Sequence, residues 1–226
     1  MMRTSRFKDR KEAGRMLADV VRGLNLKNPL VLALPRGGVP VGFEVAKELN
    51  APLDILLVRK IGAPGHEEFG IGALVDGASP QVVIDERTAK MVGADKAYID
   101  REVERQLAEL ERRRAAYCSG PAIPLEGKIV VLVDDGIATG GTVRAALQAL
   151  DQAGVALIVL ALPVAPSSSL HEIAPLTDEI VCLMTPDPFY AVGAHYEHFD
   201  QTDDAEVVQL LEEARQWKTR PADNDT

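Results

Sequence analysis

The sequence predicts an α/β fold in which a central parallel sheet is flanked by helices, and three observations carry that expectation. Short apolar runs at 30–34, 53–58, 128–133, 155–162 and 179–183 are rich in Val, Ile and Leu and mostly lack alternation, as strands covered on both faces do. Helical patterns at 39–49, 140–153 and 167–175 lie between several of these runs, and strands alternating with helices imply a parallel sheet with right-handed crossovers. The length agrees, since 226 residues suit one α/β domain with additions.

Taken in order, residues 8–23 repeat Ala13, Leu17, Val20 and Val21 at helical spacing and predict a first helix. The run 30–34 leads through Leu34-Pro35-Arg36-Gly37-Gly38 into the helix at 39–49. The run 53–58 ends in Arg59-Lys60, which enters the Gly/Pro-rich stretch Ile61-Gly62-Ala63-Pro64-Gly65. Short strands at 70–76 and 81–84 are expected to form an antiparallel flap. Residues 86–117 then interrupt the rhythm. Ile99, Val103, Leu107 and Leu110 make one apolar stripe among charged residues, which is an amphipathic helix. Arg112-Arg113-Arg114 falls at its C-terminal end, where the helix dipole favours cations, and reads first as a solvated helix end, with phosphate binding as the alternative. A single domain over 1–220 is expected, with the helical insert at about 86–117 and a disordered tail at 221–226.

Composition excludes some functions. A net charge of −9 argues against a nucleic-acid binder, which carries a basic footprint. No stretch approaches the ~20 apolar residues of a membrane helix. Met1–Arg10 has basic residues but no apolar segment behind them, so no signal peptide is read. Cys118 and Cys182 stand far apart in no metal-ligand spacing and read as reduced thiols of a cytoplasmic protein. His195 and His198 form an HxxH pair without an evident third ligand.

The chemistry concentrates in IVVLVDDGIATGGT, residues 129–142. A buried strand ends in Asp134 and Asp135, the short loop Gly136-Ile137-Ala138 follows, and Thr139-Gly140-Gly141-Thr142 opens a helix. Glycines let the backbone approach a ligand closely, and N–H groups at a helix start form an anion site. Paired carboxylates nearby accept hydrogen bonds from vicinal hydroxyls or hold a hydrated Mg²⁺. Together these features suit a sugar phosphate.

This string resembles the motif of type I phosphoribosyltransferases that binds 5-phosphoribosyl-1-pyrophosphate (PRPP). The resemblance implies that fold, with a flexible lid at about 60–72 and a small C-terminal hood at about 184–202. It implies that Asp134 and Asp135 face the ribose hydroxyls and hold Mg²⁺, directly or through water, while Ala138, Thr139, Gly140, Gly141 and Thr142 wrap the 5-phosphate. Arg36, Gly37 and Gly38 look like the family's pyrophosphate loop, in which glycine N–H groups and an arginine fork meet phosphate oxygens. Arg59 and Lys60 look like lid cations that close over pyrophosphate. Glu68, in Glu-Phe-Gly, is similar to a base-proximal Glu of adenine enzymes and equally reads as a loop-surface residue.

Four of the ten aromatics, Phe189, Tyr190, Tyr196 and Phe199, fall in the hood, either to stack a base or simply to pack. Ala138 stands where hypoxanthine-guanine enzymes carry an acid, which disfavours a 6-oxopurine acceptor. Nearly the whole chain resembles bacterial phosphoribosyltransferase-like proteins, a group that supplies no acceptor.

The implied activity is Mg²⁺-dependent transfer of phosphoribose from PRPP to a nitrogenous base by a homodimer, with Asp134, Asp135, Lys60 and Glu68 as catalytic candidates. The rival is a PRPP-binding regulator without turnover. A phosphoacceptor receiver domain fails, because Lys218 is the only lysine after Lys128.

Overall fold

The computed structural model describes residues 6–76, 80–117 and 122–217. Helix α1 (Arg10–Arg22) begins where Asp9 accepts a hydrogen bond from the Glu12 N–H at 2.8 Å, an N-cap. Its buried positions Ala13, Leu17, Ala18 and Val21 keep the helical period. The chain continues through β1 (Leu30–Ala33), α2 (Gly38–Glu48), β2 (Leu53–Ile55), β3 (Val58–Ala63), β4 (His66–Val75) and β5 (Gln81–Ile84). Next come α3 (Glu86–Met91), α4 (Lys96–Tyr117), β6 (Ile129–Val133) and α5 (Gly141–Gln152). The described chain closes with β7 (Leu157–Val164), α6 (Ser167–Ile173), β8 (Glu179–Met184) and α7 (Asp204–Trp217).

Five strands pair in parallel in the order β2-β1-β6-β7-β8, with Val31 opposite both Leu53 and Val131. Successive residues point to opposite faces of a strand. Val31, Ala33, Val131, Val133, Val159 and Ala161 therefore meet α1, α2 and α7. Leu30, Leu32, Val130, Leu132, Ile158 and Leu160 meet α5 and α6 on the other face. Both faces are covered, which is why these runs do not alternate. Each such Val, Leu or Ile side chain contributes roughly 1.5–3 kcal/mol of burial.

From β1 the chain crosses to β2 on one side, whereas from β6 it crosses to β7 on the other. The order thus reverses between β1 and β6. In open α/β sheets the crevice at such a reversal, beyond the strands' C-terminal ends, is where ligands are held.

The segment expected to be a lid loop is instead part of a sheet. β3, β4 and β5 form an antiparallel sheet, with Arg59 and Lys60 inside β3 and the turn confined to Pro64-Gly65. Ile61, Ala63 and Ile71 are buried with Ala89 and Ala94 in a small core of their own. Pro and Gly mark the turn, and the flanking apolar residues make strands.

Arg114 is also not the solvated helix end expected of it. It lies seven residues after Leu107, on the inward face of α4. Its guanidinium binds Asp54 and Asp76, each at 2.6 Å, and the Ile55 carbonyl at 3.2 Å. Burial raises the Asp76 carboxyl to about 6 even with Arg114 beside it. The tail 221–226 and Cys118 lie outside the described residues. No described helix is long and apolar enough to cross a membrane.

Candidate functional site

The reversal crevice is built from two loops that lean on each other. Leu34 N–H donates to the Val133 carbonyl at 2.9 Å, extending the β1–β6 pairing up to Asp134. The Pro35–Arg36 peptide after it is cis. A Cβ on Gly37 would overlap the Asp135 carboxylate, so only glycine allows that approach. Gly38, by contrast, donates its N–H to Leu34 O at 3.0 Å, so it does not offer the exposed donor expected of it.

A cavity of about 880 Å³ opens beside β6, lined by Asp134, the 136–142 loop, Lys60, Arg144 and the strands β4 and β5. The loop is held from behind. Ile137 N–H donates to Val164 O at 3.1 Å, and the buried Ser169 hydroxyl donates to Ala138 O at 2.6 Å. Gly140, with φ of 71°, turns the chain into α5. Ala138, Thr139, Gly141 and Thr142 are left exposed on the cavity side. The first N–H groups of a helix lack internal partners and carry its positive end, so this turn can hold an anion.

The two carboxylates differ. Asp134 lines the cavity. Its carboxyl is pushed well above the usual carboxylate range by burial and then by the charge of Asp135. Asp135 is turned toward α1, where Arg10 Nε donates to it at 2.8 Å. Burial raises Asp135 too, with Arg10 opposing the shift. Arg10 Nη1 donates to Asp200 O at 2.6 Å, and its guanidinium stands 3.9 Å over the Phe199 ring. Tyr196 is buried and donates its hydroxyl to Asp135 O at 2.5 Å. The Asp9-x-x-Glu12 spacing marks the start of α1, but nothing local in it signals that Arg10 reaches Asp135.

Arg59 and Lys60 diverge, because consecutive residues of a strand face opposite ways. Lys60 lines the large cavity. Arg59 lines a second one of about 350 Å³ on the α4 side, together with Arg36. Glu68 belongs to β4, and its side chain lies outside the described residues.

Of the hood aromatics, Phe189 stacks on His195 at 5.4 Å, and Tyr196 packs on Phe7 and Phe199 at 5.4 and 4.9 Å. Tyr190 is 82% exposed. His195 Nε2 is buried without a partner, and burial lowers that imidazole's pKa. Among the described residues no group of three or more His, Cys, Asp or Glu side chains could hold a metal.

Residues 4–184 match the model of the phosphoribosyl transferase domain family. The chain is 46% identical over 209 residues to the Mycobacterium tuberculosis H37Rv protein named "Putative phosphoribosyl transferase Rv0571c", covering 92% of this chain and 47% of that one. A protein of strain CDC 1551 matches to the same extent. The chain therefore spans about half the length of the curated relatives it matches. The crystal structure of TT1426 from Thermus thermophilus is similar over 92% of this chain and 98% of that one, at 41% identity and a TM-score of 0.79.

Proposed function

The chain belongs to the phosphoribosyl transferase domain family, and on that premise we propose that it transfers the 5-phosphoribosyl group of PRPP to a nitrogenous base. The observation that carries this reading is the joint placement of Asp134 and the exposed 138–142 turn in one cavity at the sheet's reversal point. The turn receives the 5-phosphate, and Asp134 receives the ribose hydroxyls. Asp135, tied to Arg10, sets the floor under the 34–38 loop.

The donor set fits Mg²⁺ only in part. Asp134 supplies a hard oxygen ligand, whereas Asp135, expected to share the ion, is engaged with Arg10; the remaining positions suit water and the oxygens of PRPP itself. When bound there through Asp134, the ion would draw charge off the departing pyrophosphate. Arg36 and Lys60 supply fixed positive charge beside the bond that breaks. The nitrogen of the base forms the new bond at ribose C1 as the C1–O bond to pyrophosphate breaks with its electron pair. Tyr190 stands as the base-stacking candidate, and the protein is read as a homodimer, which light scattering checks.

The test is pyrophosphate release from PRPP with Mg²⁺ and a panel of bases. Base-dependent release, lost when Mg²⁺ is removed, establishes the transferase and names the acceptor. Tight PRPP binding without release under any base would replace it with a PRPP sensor.

A further inference from the structure

We propose that α4 forms the far wall of a diphosphate site, with Arg112 and Arg113 joining Arg36 and Arg59 around the smaller cavity. This inference rests on the PRPP reading and adds residues to it that lie outside the matching motifs.

The cavity of about 350 Å³ is lined by Arg36 from the 34–38 loop, Arg59 from β3, Arg112 and Arg113 from α4, and Asp204 at the start of α7. Four arginines and one aspartate are among its lining residues, and Glu109 outside that lining pairs with two of the arginines, which leaves a local excess of positive charge in a protein of net charge −9. Such a local excess of arginine suits a multiply charged anion, because each planar fork can donate two parallel hydrogen bonds to phosphate oxygens. Size narrows the class. Ligand cavities of about 300–1,000 Å³ hold drug-sized molecules, and this one sits at the lower end, fit for a diphosphate rather than a whole nucleotide. It also shares Val58 and Thr142 with the large cavity, so one ligand can reach from the 138–142 turn into it.

α4 is constructed to hold these groups in place. Arg114, pinned to Asp54 and Asp76, fixes the roll of the helix. Adjacent helix positions differ by about 100°, so Arg113 and Arg112 turn away from that anchor and toward the cavity rim. Glu109 accepts from Arg112 Nε and Nη2 at 2.9 and 3.0 Å and from Arg113 Nε at 2.9 Å. That leaves the Arg113 terminal nitrogens without a hydrogen-bond partner among the described residues. Gln106 of the same helix accepts from Arg59 Nε at 3.0 Å and aims it. The Asp204 carboxylate already occupies an anion's place, receiving the Tyr117 hydroxyl at 2.7 Å with Arg36 at 3.5 Å. A diphosphate has to displace it.

Calorimetry on the full chain with inorganic pyrophosphate and, separately, ribose 5-phosphate tests this. The two arginines are 70% and 45% exposed, so Arg112→Gln with Arg113→Gln leaves the fold in place. The double variant should bind pyrophosphate roughly tenfold or more weakly, as expected for lost charge-assisted bonds. Ribose 5-phosphate, which does not enter the arginine cavity, should bind it unchanged. Asp204→Asn should tighten pyrophosphate by removing the competing carboxylate. Unchanged pyrophosphate affinity in the double variant, or weakening by Asp204→Asn, overturns the inference and leaves the PRPP reading standing. Equal weakening of both ligands in the double variant assigns the arginines to the fold and overturns it too. Failure of the wild-type chain to bind either ligand removes the PRPP reading itself, and this inference with it.

Discussion

The two walls of the crevice are made in different ways. The β6–α5 wall is one continuous stretch, 129–142, in which a strand end, a short loop and a helix start follow from neighbouring residues. The α4 wall is assembled from Asp54, Asp76, Arg114, Gln106 and Arg59, which meet only because β2, β3 and α4 pack together. The continuous wall takes its groups from neighbouring residues, and the assembled wall depends on packing to bring its groups together. Mutations should tell the two apart.

The largest expected effect is on the assembled wall. Arg114→Ala leaves Asp54 and Asp76 buried without their cation, which should cost about 3–5 kcal/mol. A urea midpoint little different from wild type would break the comparison. On the continuous wall the expected effect falls on turnover rather than on stability. Asp134→Asn with Asp135→Asn should reduce PRPP-dependent turnover by roughly a hundredfold or more. Burial disfavours both charges and Asp135 adds to the shift at Asp134, but Asp135→Asn also gives up the Arg10 bond, so the melting temperature should change less than in Arg114→Ala. Turnover at the wild-type rate would end the proposed mechanism.

Arg10→Ala is intermediate, since it removes a part-buried charge-assisted bond to Asp135. It should lose about 1.5–3 kcal/mol in denaturant melts. PRPP should bind more weakly as well, because Asp135 loses its orientation.

The smallest effect is in pH dependence. The Asp76 carboxyl is raised from 3.8 to about 6, so the folded state holds its proton more tightly than the unfolded chain. Its contribution to stability is complete below 3.8 and is lost as pH rises through about 6. Asp76→Asn should flatten that slope in the difference between variant and wild-type melts at about pH 4.5 and 6.5. A slope shared by both would assign the effect elsewhere.

The same division decides what could be read in advance. The parallel sheet was legible because both faces of each strand are covered, and the β6–α5 string because its parts are adjacent. The flap was half legible. Pro64-Gly65 marks a turn, but only the burial of Ile61 and Ile71 shows that strands flank it. Arg114 was misread because its partners, Asp54 and Asp76, are dozens of residues away. Arg10 and Ser169 were invisible for the same reason, each acting on a loop to which no local pattern joins it.

The opposite aim of Arg59 and Lys60 has an electrostatic result. Both ride on one strand, so the two cations stand at a fixed offset, one to each chamber. The Gln106 contact to Arg59 ties that offset to α4. One strand thus divides its positive charge between two chambers instead of concentrating it in either.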